Sequence, residues 1–235
     1  MGKLDDIVRI LERELELKES EFVARHIFKR TRDPFRVLVA TIISQNTTDV
    51  NTSRALRRLS KICNITPESI ASTSLEKIRE AIRPAGLQDA KAKAIKDVAL
   101  MIVNEYNGDI LRALSGELDE VRMRFSRIKG IGYKTIDVVL MNLGYPVIAI
   151  DTHIKRIAKR LGLAPDTDSY LAIQRLLQKE LEHENPLKTH LLLIKFGRTI
   201  CRARRPRCSS CPLRNSCQYY SSTHRDSELS QNEPS

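Results

Sequence analysis

Three times along this chain a capping residue is followed at once by proline: Asp33-Pro34, Thr66-Pro67 and Asn185-Pro186. Such a pair opens a helix. The side-chain oxygen accepts from the first free amides, and proline, having no N–H, loses nothing in the first turn. After the first pair, Phe35, Leu38, Val39 and Ile42 fall on one helical face, and Leu4, Ile7, Val8, Leu11 and Leu15 form another near the N-terminus. The same periodicity predicts helices over 49–62, 74–82, 89–105, 118–127, 133–142, 152–162, 168–183 and 186–200. One run, Val147-Ile148-Ala149-Ile150, looks strand-like. It is short and isolated, and reads as a buried extended connector rather than part of a sheet. The fold class expected is all-α, and 235 residues can bury one core or two modest ones. Residues 221–235, rich in Ser, Asn and Glu with little to bury, read as a disordered tail.

The formal net charge of +11 and a pI near 9.6 point to a polyanionic partner, because Lys and Arg that neutralise phosphates release counterions. A membrane is not the expected partner, since no apolar stretch approaches the length that spans a bilayer. The N-terminus mixes charge with apolar residues and carries no signal-peptide pattern, so a reducing compartment is expected. The five cysteines are then thiols or metal ligands before they are disulfides.

Four of those cysteines, Cys201, Cys208, Cys211 and Cys217, fall within 17 residues. Short loops keep four sulfurs within reach of one metal centre, which can be zinc or an iron–sulfur cluster, since both take four Cys ligands. The spacing holds one C-x2-C knuckle where zinc sites usually pair two. Cys63 stands apart, in line with Leu56, Leu59 and Ile62, and is expected in the core. Around the four cysteines lie Arg202, Arg204, Arg205, Arg207 and Arg214, with no acidic residue from 201 to 217. This stretch reads as a phosphate-tracking loop, Arg205 and Arg207 above all.

Residues Gly130-Ile131-Gly132 separate two helical patterns. Two glycines around one apolar residue allow a tight turn with open amides at a helix start, a geometry that binds phosphate. Lys134 follows in the first helical turn, where a cation opposes the helix dipole. Such a lysine meets an anion or serves as an amine nucleophile. Asp151, after the connector, opens the helix that continues with Thr152 and His153, and is at least an N-cap.

The order Ile128-Lys129-Gly130-Ile131-Gly132-Tyr133-Lys134-Thr135, then Ala149-Ile150-Asp151-Thr152-His153, then the four-cysteine loop, resembles the endonuclease III family. That family is the iron–sulfur branch of the helix-hairpin-helix DNA glycosylases, and the resemblance runs from about residue 33 to 219. It implies a six-helix barrel lobe over 25–145, and a lobe of 1–24 with 146–220 that carries a [4Fe-4S] cluster on Cys201, Cys208, Cys211 and Cys217. It also implies an active-site cleft between the lobes, with Lys134 and Asp151 as its catalytic residues. The function implied is a monomeric DNA glycosylase and abasic-site lyase that removes oxidised pyrimidines from duplex DNA and nicks the strand. It would act on the chromosome, in the cytoplasm of a prokaryote or the nucleus of a eukaryote.

By position, Asn46 or its neighbour Gln45, together with Leu87 and Gln88, would fill the vacated stack, and Lys129, Gly130 and Gly132 would meet the backbone. Lys129 stands where the family usually has proline, and Asp137 where it usually has asparagine. A carboxylate three residues after Lys134 shares its helical face. It would either face the cleft and favour the charged ammonium or sit in the first turn with the helix dipole. Two other functions compete: a monofunctional mismatch thymine or uracil glycosylase, against which Lys134 argues, and a non-enzymatic DNA-binding protein, which needs neither Lys134 nor Asp151. An adenine-removing relative usually carries a further domain.

Overall fold

The computed structural model describes residues 2–164 and 166–229, and every regular element among them is helical. None of these helices is long and apolar enough to cross a membrane. The chain divides into two compact units, Lys18–Tyr145 and Met1–Leu17 with Pro146–Ser235.

The larger unit is built around α3 (Pro34–Ile43), which is buried at nearly every position. Asp33 opens α3 as its sequence predicts, accepting from the amides of Phe35 and Arg36 at 2.9 and 3.2 Å. Around α3 pack α2 (Val23–Thr31), α4 (Asp49–Ile62), α7 (Gln88–Tyr106) and α10 (Tyr133–Asn142). Against α7 lie α5 (Pro67–Ser72) and α6 (Leu75–Ile82). Lys96 of α7 donates to the carbonyls of Ile70, Ala71 and Thr73, filling acceptors that the end of α5 leaves open. The short α8 (Ile110–Ala113) and α9 (Leu118–Ser126) lead into α10.

Residues 18–24 belong to this unit, not with the N-terminal helix as the resemblance implies. Their Glu19 lies 3.1 Å from Arg25 and 3.3 Å from Lys29 of α2, and Phe22 is buried. Both cations hold the Glu19 carboxyl below its usual range, against the opposing effect of its burial. Cys63 also departs from expectation: it is the half-buried C-cap residue of α4 in extended conformation, outside the core.

The smaller unit joins α1 (Lys3–Glu14) to α11 (Thr152–Arg160), α12 (Tyr170–Lys179), α13 (Pro186–Thr199) and α14 (Gln218–Leu229). Leu4, Ile7, Val8 and Leu11 of α1 are buried, and α1 packs on α13. Buried Asp5 accepts from the backbone amides of Glu182, His183 and Glu184 at 3.3–3.4 Å, which fastens α1 to the start of α13. Residues 221–229, expected as disordered tail, continue α14; no glycine or proline interrupts 218–229. The rest of that expected tail, 230–235, lies outside the described residues.

The strand-like run is an extended connector, as its length predicts. Val147, Ile148, Ala149 and Ile150 are buried, and side chains from α12 and α13 take over their backbone groups. Gln174 donates to the Ile148 carbonyl at 2.6 Å, Gln178 donates to Pro146 at 2.8 Å, and His190 Nδ1 lies 2.8 Å from the Ala149 carbonyl. Buried backbone that joins no sheet needs such partners, and they fix where the connector delivers Asp151.

Candidate active site

The turn between α9 and α10 is the glycine hairpin. Gly130 sits at φ +96°, a region that side chains rarely enter, and Gly132 is the N-cap of α10 with no side chain to cap it. The first-turn amides therefore lie beside an open approach, since a Cβ on Gly132 would meet nothing within 4 Å. That is the anion-binding end of a helix. Lys134 is half-buried in this first turn, and Lys129 is exposed just before the glycines.

Asp137 does neither of the two things its spacing suggests. It is fully buried, and Arg122 of α9 grips it with two bonds, Nε to Oδ1 at 2.9 Å and Nη2 to Oδ2 at 2.7 Å. Arg122 also reaches Asp119 at 3.0 Å and lies over the Tyr133 ring. A buried bidentate pair thus binds the two hairpin helices behind the glycine turn.

Two further turns accompany the hairpin in the same unit. Gln45 donates to the Gly130 carbonyl at 2.9 Å and to Thr135 Oγ1 at 3.3 Å, so it braces the hairpin, while Asn46 beside it is exposed. In the other turn Leu87 is 60% exposed, unusual for a leucine, and Gln88 opens α7 half-buried. Asn46 and Leu87 both hold left-handed backbone, at φ +52° and +49°.

In the smaller unit Asp151 caps α11, accepting from the Ile154 amide at 2.8 Å. Its second oxygen has no partner among the described residues of that unit. Two arginines one turn apart on α11, which the sequence motifs do not single out, reach the cysteine loop. Arg156 donates to the Cys201 and Gly197 carbonyls at 2.9–3.1 Å. Arg160 donates to Cys201 Sγ at 3.4 Å and to the Arg202 carbonyl at 2.8 Å, and stacks on Tyr219 at 4.5 Å. Their i, i+4 spacing sets them on one face of α11, but nothing in the sequence says what that face meets.

The four thiols line one pocket with Leu161, Phe196 and Ile200. Burial first, then the negative charge of Cys201 and Cys217, pushes the Cys208 thiol up, and burial does the same to Cys211. A bound cation would favour the thiolate form that metal ligation requires. A tetrahedral zinc ion with bonds of about 2.3 Å holds its sulfurs about 3.8 Å apart. Here no three of the thiols lie within 4.8 Å of one another, a wider spread that is in keeping with a four-thiolate cluster.

The five arginines of this loop divide in two. Arg202 donates to the Arg205 carbonyl and Arg214 to the Ser209 carbonyl, at 3.0 and 3.1 Å, supporting the loop itself. Arg204, Arg205 and Arg207 are exposed and have no side-chain partner among the described residues. Arg205 holds φ +49°.

A helical hairpin with a glycine turn, set in a two-unit all-α chain, is the arrangement of a known repair class. Residues 39–183 match the family described as HhH-GPD superfamily base excision DNA repair protein. Endonuclease III of Sulfolobus acidocaldarius is 36% identical over 214 residues, covering 89% of this chain and 93% of the relative. The Escherichia coli enzyme of that name is 34% identical over 187 residues, covering 79% and 84%. A solved structure of a trapped endonuclease III–DNA covalent intermediate superposes with a TM-score of 0.74 at 31% identity, covering 96% of this chain and 100% of that one. The chain belongs to the endonuclease III family, and is a base-excision DNA repair enzyme of the glycosylase class.

Proposed function

We propose that this protein is a bifunctional DNA glycosylase and abasic-site lyase that removes oxidised pyrimidines from duplex DNA. The observation that carries the reading is Lys134 in the first turn of α10, directly after Gly130-Ile131-Gly132. A glycosylase that used only water would not need an amine there, whereas a lyase does. The relative captured as a covalent intermediate with DNA supports the same chemistry.

The damaged nucleotide leaves the stack, because its glycosidic carbon cannot be reached within it. The uncharged amine of Lys134 attacks the sugar C1′, the C1′–N bond breaks, and the base departs with the bonding pair and takes up a proton. Asp151 supplies negative charge to the developing oxocarbenium ion, or accepts the proton that unmasks the amine. Ring opening gives an imine between Lys134 and C1′. Loss of a C2′ proton then drives the electron pair toward C3′, and the C3′–O bond breaks with the phosphate as leaving group. Water hydrolyses the imine and frees Lys134.

Gly130, Gly132 and Lys129 would hold the backbone phosphates at the hairpin, with Arg204, Arg205 and Arg207 adding charge from the cysteine loop. Cys201, Cys208, Cys211 and Cys217 would hold a [4Fe-4S] cluster, whose contribution is structural: it shapes the loop that carries those arginines. The test is a thymine-glycol duplex with the damaged strand end-labelled. The purified protein should leave a nick ending in a 3′ unsaturated aldehyde without added metal. Base release that leaves the abasic strand intact until it is heated in alkali would exclude the lyase step.

A further inference from the structure

Lys91 is a buried ammonium that the glycosylase and lyase steps do not use. It lies in the first turn of α7 at 3% exposure, and burial pushes its pKa below the ordinary lysine value. No carboxylate bonds to it among the described residues. Its Nζ instead donates to two carbonyls, Ile43 and Ala85, each at 2.9 Å. Ile43 is the last residue of α3, and Ala85 the last of the 3-10 turn Arg83–Ala85. Carbonyls at such ends lack helical partners and lie at the negative end of the helix dipole, which suits a cation. One lysine thus caps two elements that are 48 and 6 residues away from it along the chain.

Each capped carbonyl stands just ahead of a turn that carries an exposed side chain. Three residues after Ile43 comes Asn46, and two after Ala85 comes Leu87, both in left-handed backbone. A leucine resists that conformation and gains nothing there from burial, so the surroundings must impose it. Gln45, inside the first turn, carries the tie on to Gly130 and Thr135 of the hairpin.

We propose that Lys91 is a positioning residue whose buried ammonium fixes the Asn46 and Leu87 turns in register with each other and with the hairpin, so that both side chains enter the stack as the damaged nucleotide leaves it. This rests on the proposed glycosylase function and on the family resemblance, which implies that both turns meet DNA. Lys91 touches no substrate; it acts through the two carbonyls.

The full chain and its Leu87→Ala and Lys91→Met variants are bound to a duplex holding a tetrahydrofuran abasic analogue with 2-aminopurine opposite. Undamaged duplex serves as reference, and amide hydrogen exchange is followed in parallel. Both variants should lose at least tenfold of the preference for the analogue, and the fluorescence rise that reports unstacking. For Lys91→Met, affinity for undamaged duplex should stay within about threefold. In Lys91→Met, amides of 43–48 and 84–89 should exchange at least tenfold faster while those of α9 and α10 do not. Lys91→Gln, which keeps two N–H donors without the charge, should show a partial loss of both signals and covers the case in which Lys91→Met does not fold. If Leu87→Ala loses the preference and a folded Lys91 variant keeps it with unchanged exchange, the tie is refuted and the assignment of the turns to DNA stands. If Leu87→Ala itself keeps preference and fluorescence, the turns do not enter the stack and the inference falls with that assignment.

Discussion

Asp137 follows Lys134 by three residues, and spacing alone would set its charge beside the lysine. The structure sends that charge the other way, into the unit's interior, where Arg122 takes both oxygens. Helical periodicity could not decide this, because the deciding residue lies on α9 and the angle between α9 and α10 is a tertiary fact. A buried pair of this kind contributes little compared with an apolar pair of the same size, yet breaking it strands a buried charge, at a cost of about 3–5 kcal/mol. Asp137→Asn should therefore lower the unfolding free energy by roughly 3 kcal/mol in chemical denaturation, leaving the pH profile of strand nicking in place. The double change Arg122→Met with Asp137→Leu should recover most of that loss. An Asn variant as stable as the parent would mean that the pair holds nothing together.

At the scale of elements, the sequence is most legible where a helix announces its own start. Asp33, Thr66 and Asn185 cap α3, α5 and α13 through the side-chain oxygens that the sequence offers. The expected helix over 133–142 matches α10 at both ends, and that over 49–62 matches α4. Helix α2 gives no such signal, because its N-cap, Phe22, carries no capping group and nothing local marks its beginning. The cysteine loop is legible as a candidate metal site from its four thiols. Its tether is not, because Arg156 and Arg160 act on residues more than forty positions away.

The division among the loop arginines gives a graded prediction. Binding to undamaged DNA should weaken steeply with salt, and Arg205→Ala or Arg207→Ala should each shallow the log–log slope by about 1. Arg214→Ala, whose guanidinium serves the loop's own carbonyl, should change the slope less and lower the iron content. The parent protein should hold about four irons and absorb broadly in the visible, as a cluster on four thiolates would. A slope unmoved by Arg205 and Arg207 would place the loop away from phosphates, and one zinc in place of iron would overturn the cluster.

Taken as a whole, the molecule commits a net charge of +11, an open helix start at the hairpin and exposed arginines on the cysteine loop to a polyanion. It then sets one amine at that helix start and one carboxylate at the cap of α11. The two residues proposed to carry the chemistry can be picked out from sequence because each stands at a helix start beside a recognisable run. The supports behind them, Lys91, Arg122 and Arg160, cannot, since each is a charged residue whose partners only folding brings near. The central claim is that the Lys134 amine forms the covalent bond to DNA. It is tested most directly by borohydride reduction of the protein on an abasic-site duplex, followed by mapping of the cross-linked residue. The parent chain should be trapped at Lys134, and Lys134→Gln should give no adduct while binding the same duplex within a few-fold. An adduct of undiminished yield in Lys134→Gln, or one mapping to another amine, would contradict the account.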